Sequence, residues 1–284
     1  MLWDDLVNHK FENNSETFNS IMDDLSDLCK DCVAMNLTDE VVRAVEYIAD
    51  HTKPSVFNSR LNLDIKLPHN KVWVEFPYKS RIEAKKEFGT LALAEKSKRH
   101  LVFNADIPQR IGFIIEYLSS TEIAAKSIWR FNNGSYNFGR FDLIISLDDS
   151  FYSRGVMHLA QAMDREEEVQ WLSLHRNSLQ EIIALPLLKN KINVAFTKKI
   201  DAYMDELSDG DSKLKNQIFE TSSFDAASEW RFIAALLLFF NSDMVEVSTI
   251  HRDKLRKSRK MKGLETCDYH NVRLRRDVTD IVVD

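Results

Sequence analysis

The apolar residues of this chain recur at helical spacing up to about residue 50, at every second position from Lys71 onward, and at helical spacing again beyond Val156. A side chain repeats its direction every 3.6 residues in a helix and every two in a strand, so this change of period bounds the fold before any motif is considered. The expected class is α+β: an acidic helical N-terminal region, a central and mostly antiparallel sheet, and a helical C-terminal half that ends in a basic helix and strand. The 284 residues are read as a single domain, with a division into 1–150 and 151–284 as the alternative.

The helical and extended stretches follow from residue spacing. Ser15 to Met35 sets Phe18, Ile21, Met22, Leu25, Leu28, Cys29 and Cys32 on one stripe, with Asp23, Asp24, Asp27 and Asp31 elsewhere on the turn. A second helix is expected after Thr38, with Asp39 and Glu40 in its first turn. Val72, Val74 and Phe76 then alternate with Trp73 and Glu75, and residues 71–148 are expected to form the sheet. His100 to Ala105, Arg110 to Leu118 and Phe141 to Leu147 supply further strands. Asn133-Gly134 between Ser127–Phe131 and Tyr136–Phe138 predicts a hairpin with a type I′ turn. Glu166 to Leu185 and Lys198 to Leu207 are expected helices. Ser223 is the expected cap for an apolar helix from Ala226 to Phe240.

Charge is distributed unevenly along the chain. The net charge is −6, yet Ile250 to Arg276 holds ten Lys/Arg against three acids, and residues 1–50 hold twelve acids against three bases. On a helix from Ile250 to Gly263, Arg252, Arg256, Arg259 and Lys260 fall on one arc of about 100°. Tyr269 to Arg275 alternates basic and apolar, which suits a strand with a cationic face that includes Arg273 and Arg275, followed by Arg276. Guanidinium binds phosphate bidentately, so the expected partner is nucleic acid or an acidic protein surface. The competing reading pairs these cations with the chain's own acidic first fifty residues, or joins copies into a homo-oligomer.

The remaining candidate sites are weaker. Cys29, Cys32, Cys267 and His270 form two half-sites of zinc-ligand type, but the long separation between them gives the pattern little specificity, and buried thiols are ordinary core residues. Glu83-Ala-Lys85 has the form found in metal-dependent nucleases, and Asp64, Glu75, Asp148 and Asp149 lie near expected strand ends. Trp73 and Trp129 are read as sheet packing in preference to base stacking. His158 and His175 are read as core or edge histidines. No HExxH, GxSxG or GxGxxG occurs, and no cofactor is called for. The three cysteines form no disulfide framework, and the first residues lack the basic-then-apolar pattern of a signal peptide. The longest apolar run, Phe232 to Phe240, falls short of the roughly twenty residues of a membrane span. A cytoplasmic location follows as an expectation.

The order FIAALLLFFNS, MVEVSTI, HRDKLRKSRKMKG and a strand containing Tyr269, together with Val72-Trp73-Val74-Glu75, resembles an uncharacterised group of proteins encoded by tailed bacteriophages and prophages. This chain departs from that group in having no proline after Gly263. The resemblance implies a viral origin and a role in the infected cell or the particle. The function expected is a non-enzymatic accessory or regulatory protein. A virion component or an inhibitor of a host factor is the second class, and a metal-dependent nuclease the third.

Overall fold

A computed structural model describes residues 1–12, 15–51, 66–87, 108–120, 122–140, 143–146 and 194–275. The strands are β1 (Val33–Leu37), β2 (Lys71–Pro77), β3 (Pro108–Tyr117), β4 (Glu122–Phe131), β5 (Tyr136–Phe138), β6 (Leu143–Ser146), β7 (Val245–Ile250) and β8 (Tyr269–Leu274). They form one eight-stranded sheet in the order β5-β4-β3-β2-β1-β8-β7, with β6 also pairing with β4. β1 runs parallel to both of its neighbours, β2 and β8, and the remaining pairs are antiparallel. The class is α+β, as the change of period predicts.

Helices α1 (Leu2–Val7), α2 (Glu16–Lys30), α3 (Asp39–His51), α4 (Tyr78–Glu87), α5 (Val194–Ser208), α6 (Ser212–Phe240) and α7 (Asp253–Lys260) complete the described elements. On one sheet face, α3 and the end of α6 bury Val72, Val74, Phe76, Ile111, Phe113, Ile115 and Val272. On the other, α1, α2 and α5 bury Ala34, Trp73, Ile114, Ile128 and Tyr269. Leu214 and Ile218 of α6 join this second cluster, so the helix reaches both layers. Completely burying a side chain such as Phe232 stabilises the fold by about 1.5–3 kcal/mol.

Several elements differ from expectation. The helix read from Ser15 to Met35 stops at Lys30, and Val33–Leu37 is a strand. Hydrogen-bonded partners on both sides and burial on both faces remove the alternation that marks a half-exposed strand. Residues 71–148 are not all sheet, because Tyr78–Glu87 is helical. The helix expected from Ala226 begins at Ser212, where the Asp211 side chain accepts the N–H groups of Lys213 and Leu214, and Ser223 lies in its interior. The 131–135 hairpin is closed by Phe131 N–H to Ser135 O at 2.9 Å and Gly134 N–H to Phe131 O at 3.0 Å. Only Gly134 in this loop has positive φ, at 85°, so it is a three-residue loop with a glycine bulge and not a type I′ turn. The segments His100–Ala105 and Glu166–Leu185, together with Asp64, Asp148, Asp149, His158 and His175, lie outside the described residues.

Gly112 has a specific packing role. It lies opposite Glu75 on the neighbouring strand, and the Trp73 indole covers it so closely that a Cβ there would meet ring carbons at 2.1 and 2.2 Å. Trp73 is fully buried and Trp129 packs partly buried against the other face, as the packing reading expects.

Candidate polyanion-binding site

The segment MLWDDLV reads as acidic, but it folds as a helix whose Leu2, Trp3, Leu6 and Val7 are all buried on the sheet. Its first turn is fixed by Glu75, which is 0% exposed. Leu2 N–H donates to Glu75 Oε1 at 3.0 Å and Trp3 N–H to Oε2 at 2.8 Å. Trp73 Nε1 donates to Oε2 at 2.9 Å, Tyr269 Oη at 3.3 Å, and Arg110 Nη2 donates to Oε1 at 2.8 Å. A buried carboxylate is stable only when paired and hydrogen-bonded in this way, and the helix N-terminus adds a favourable dipole. Burial, then the charges of Glu75 and Asp4, push the Tyr269 hydroxyl far above its ordinary pKa, which keeps it a neutral donor.

The two acids of α1 diverge. Asp4, 2% exposed, accepts from Arg252 Nη1 at 2.7 Å and from Arg259 Nη1 at 3.0 Å. Asp5 accepts from Arg130 Nη1 at 2.5 Å. The Arg252 guanidinium also lies 5.2 Å from the centre of the Tyr269 ring. The basic segment is thus fastened to the first helix, and two acids of α2 are engaged elsewhere: Asp24 with Lys199 and Asp27 with Lys30.

The predicted cations therefore separate. α7 begins at Asp253 and not at Ile250, which closes β7, but it ends as expected, with Gly263 at φ 67° and Leu264 N–H closing on Arg259 O at 3.0 Å. Arg252 and Arg259 turn inward to Asp4, while Arg256 Nη2 meets Asp268 Oδ1 at 2.9 Å. Lys260 is exposed with Lys257, Met261 and Lys262 on the outward side. Among the described residues, these three lysines form no ion pair. At the far end of β8, Arg273 Nε meets Glu246 at 2.5 Å and Arg275 Nη1 donates to the Asp243 carbonyl at 3.3 Å. The four residue steps from Tyr269 to Arg273 span about 13 Å, so the expected single surface is two separate groups. Arg276 lies outside the described residues.

The other candidate sites do not assemble. His270 shares its sheet face with Val272 and faces Thr249 Oγ1 at 3.2 Å, whereas Cys29, Cys32 and Cys267 belong to the opposite face. Burial holds the thiols of Cys32 and Cys267 up to about 12 and that of Cys29 well above its ordinary value. No group of three or more His, Cys, Asp or Glu among the described residues is placed to hold a metal. Glu83 and Lys85 lie on α4 and not on a strand; Glu83 pairs with Lys79 at 3.3 Å, and Lys85 approaches Glu46 at 4.0 Å. Two residues apart on a helix, they point in different directions. No helix among the described residues is long and apolar enough to cross a membrane.

Sequence reasoning missed Asp4, Asp5, Arg110 and Arg130, and placed Glu75 only among strand-end carboxylates. One signal was present: Leu2, Trp3, Leu6 and Val7 have the spacing of a buried helix stripe around the two acids. Compared with protein-family models, curated proteins and solved structures, the chain matches none.

Proposed function

We propose that this protein binds nucleic acid through the outward side of α7 and the turn that follows it, in a non-enzymatic accessory or regulatory role. The observation that supports this is the orientation of Lys257, Lys260 and Lys262. All three are exposed and free of ion pairs among the described residues, on or just after a helix whose inner side is pinned by Asp4 and Asp268. Pinning the backbone lowers the ordering cost of binding, and unpaired lysines release counterions when they meet phosphates. The resemblance of the C-terminal segment to phage proteins would place this activity in an infected bacterial cell.

The test is a titration of labelled duplex and single-stranded DNA and RNA between about 50 and 200 mM salt, where phosphate-driven affinity falls steeply. The triple variant Lys257→Glu, Lys260→Glu, Lys262→Glu should lose binding and flatten the salt slope. A salt-independent affinity, or none at the lowest salt, overturns the proposal.

A second reading, self-association, is favoured by β7. It is the end strand of the sheet among the described residues, with Val247 50% and Ile250 43% exposed. Such an edge is a template for pairing with another copy. A monomer by light scattering at both low and high salt removes this reading.

A further inference from the structure

Two arginines face one another across the sheet. Arg110 of β3 is the cross-strand partner of Arg130 of β4, and the register slips at Gln109, between the Pro108–Phe131 and Arg110–Arg130 pairs. Like charges directly opposite each other destabilise a sheet, and bulges beside functional sites re-aim side chains. Both guanidiniums point to the α1 face. Arg110 Nη2 reaches Glu75 Oε1 and Asn36 Oδ1 at 2.8 and 3.0 Å, and Arg130 Nη1 reaches Asp5 Oδ2 at 2.5 Å.

Those contacts use only Nη atoms. Among the described residues, both Nε atoms are buried without a partner, as is the Thr38 hydroxyl at the end of β1. On Arg130, Asp5 takes only Nη1 and leaves the Nε–Nη2 edge, the fork with which guanidinium holds two oxygens of a phosphate at once; on Arg110, Nη2 is already taken by Glu75 and Asn36. The Nε atoms are shielded, but the side chains as wholes are 19% and 31% exposed, so a ligand meets the guanidiniums from their exposed side. Tyr136 lies opposite Arg130 on β5, and its hydroxyl is held up to about 12 by burial, which keeps it protonated and able to donate. The cluster sits where the parallel strands β1 and β2 end.

We propose that Arg110 and Arg130 form a binding site for a phosphomonoester dianion, for which the Asp5 carboxylate is an internal competitor. The site stands apart from α7, and either can fail without the other.

Inorganic phosphate is the probe, titrated into the full chain by calorimetry. Saturable binding at one site is expected, strengthening as pH rises through the second ionisation of the inorganic ion, near neutrality. Arg130→Gln should weaken binding about tenfold or more, the loss of one charge-assisted hydrogen bond. Asp5→Asn should tighten it, and the α7 triple variant should leave it unchanged. The source of the phosphate is separated by comparing a 5′-mononucleotide with short strands bearing a 5′-phosphate or a 5′-hydroxyl. Preference for the phosphorylated strand assigns a nucleic-acid end, and equal competition by the mononucleotide assigns a free nucleotide. Absence of saturation, unchanged affinity in natively folded Arg130→Gln, or failure of Asp5→Asn to tighten binding overturns the site. Arg110→Gln risks the fold because Glu75 is buried, so the Arg130 and Asp5 variants carry the test.

Discussion

Asp4 Oδ2 and Arg252 Nη1 lie 2.7 Å apart although 248 positions separate them in the chain. Asp4→Asn removes the charge that faces both Arg252 and Arg259. Removing one partner of a buried pair costs about 3–5 kcal/mol. With the arginine side chains 17% and 22% exposed, a loss of about 2 kcal/mol is expected. Denaturant unfolding measures it. The same variant should bind DNA more tightly, since two guanidiniums are released beside Lys257 and Lys260.

Gly112→Ala should destabilise the fold by about 2–3 kcal/mol, at the upper end of overpacking costs, because the clashing neighbour is a buried indole ring and not a flexible chain end. Its near-UV circular dichroism should change with the displacement of Trp73. An unchanged melting temperature would contradict the packing described.

Arg81 lies 2% exposed between Glu46 and Glu229, with Nη1 2.5 Å from Glu229 Oε2, and its guanidinium covers the Phe232 ring. Burial opposes its charge, but Glu229 and Glu46 outweigh that and raise its pKa. Arg81→Met alone removes the cation that bonds both buried carboxylates and should cost about 3–5 kcal/mol. Adding Glu46→Gln and Glu229→Gln should restore most of the loss. A triple variant as unstable as the single one would show that packing, not charge, is responsible.

The three thiols are neutral in the fold, held so by burial. Their folded pKa values are raised, so their contribution to stability is complete below the unfolded value of about 8.5 and declines as pH rises from there towards the folded values. Native protein at pH 8 should react with a thiol reagent far more slowly than unfolded protein, which should expose all three cysteines.

Asp268 behaves in the opposite sense. Slight burial disfavours its charge, but the Arg252 N–H, the His251 ring and the Arg256 guanidinium together lower its pKa. Its contribution is present above the unfolded value of about 3.9 and is lost as pH falls through the folded one. Asp268→Asn should flatten the acid limb of the stability curve and raise amide exchange in α7 at neutral pH.

What could be read from residue order depended on whether a signal was local. β8 was legible because one of its sides meets solvent and its residues alternate, whereas β1, paired and covered on all sides, gave no alternation to detect. The helical arc of Arg252, Arg256 and Arg259 was visible, but a helix carrying cations around most of its circumference does not disclose its inner side. That choice was made by Asp4, which looks solvated beside Asp5. The meeting of Arg110 with Arg130 required the strand register, and the register includes a bulge with no distinct residue signature.

The position of β8 between β1 and β7 has a consequence for synthesis on the ribosome. β2 can join β1 early, but the other side of β1 has no partner until residues 269–274 emerge. At about 5–20 residues per second, the interval from residue 77 to residue 269 lasts roughly ten to forty seconds. Throughout it the growing chain carries an open edge at what becomes the middle of its sheet. Chains cut short in that interval should be the aggregation-prone ones, and chaperone capture should be concentrated there.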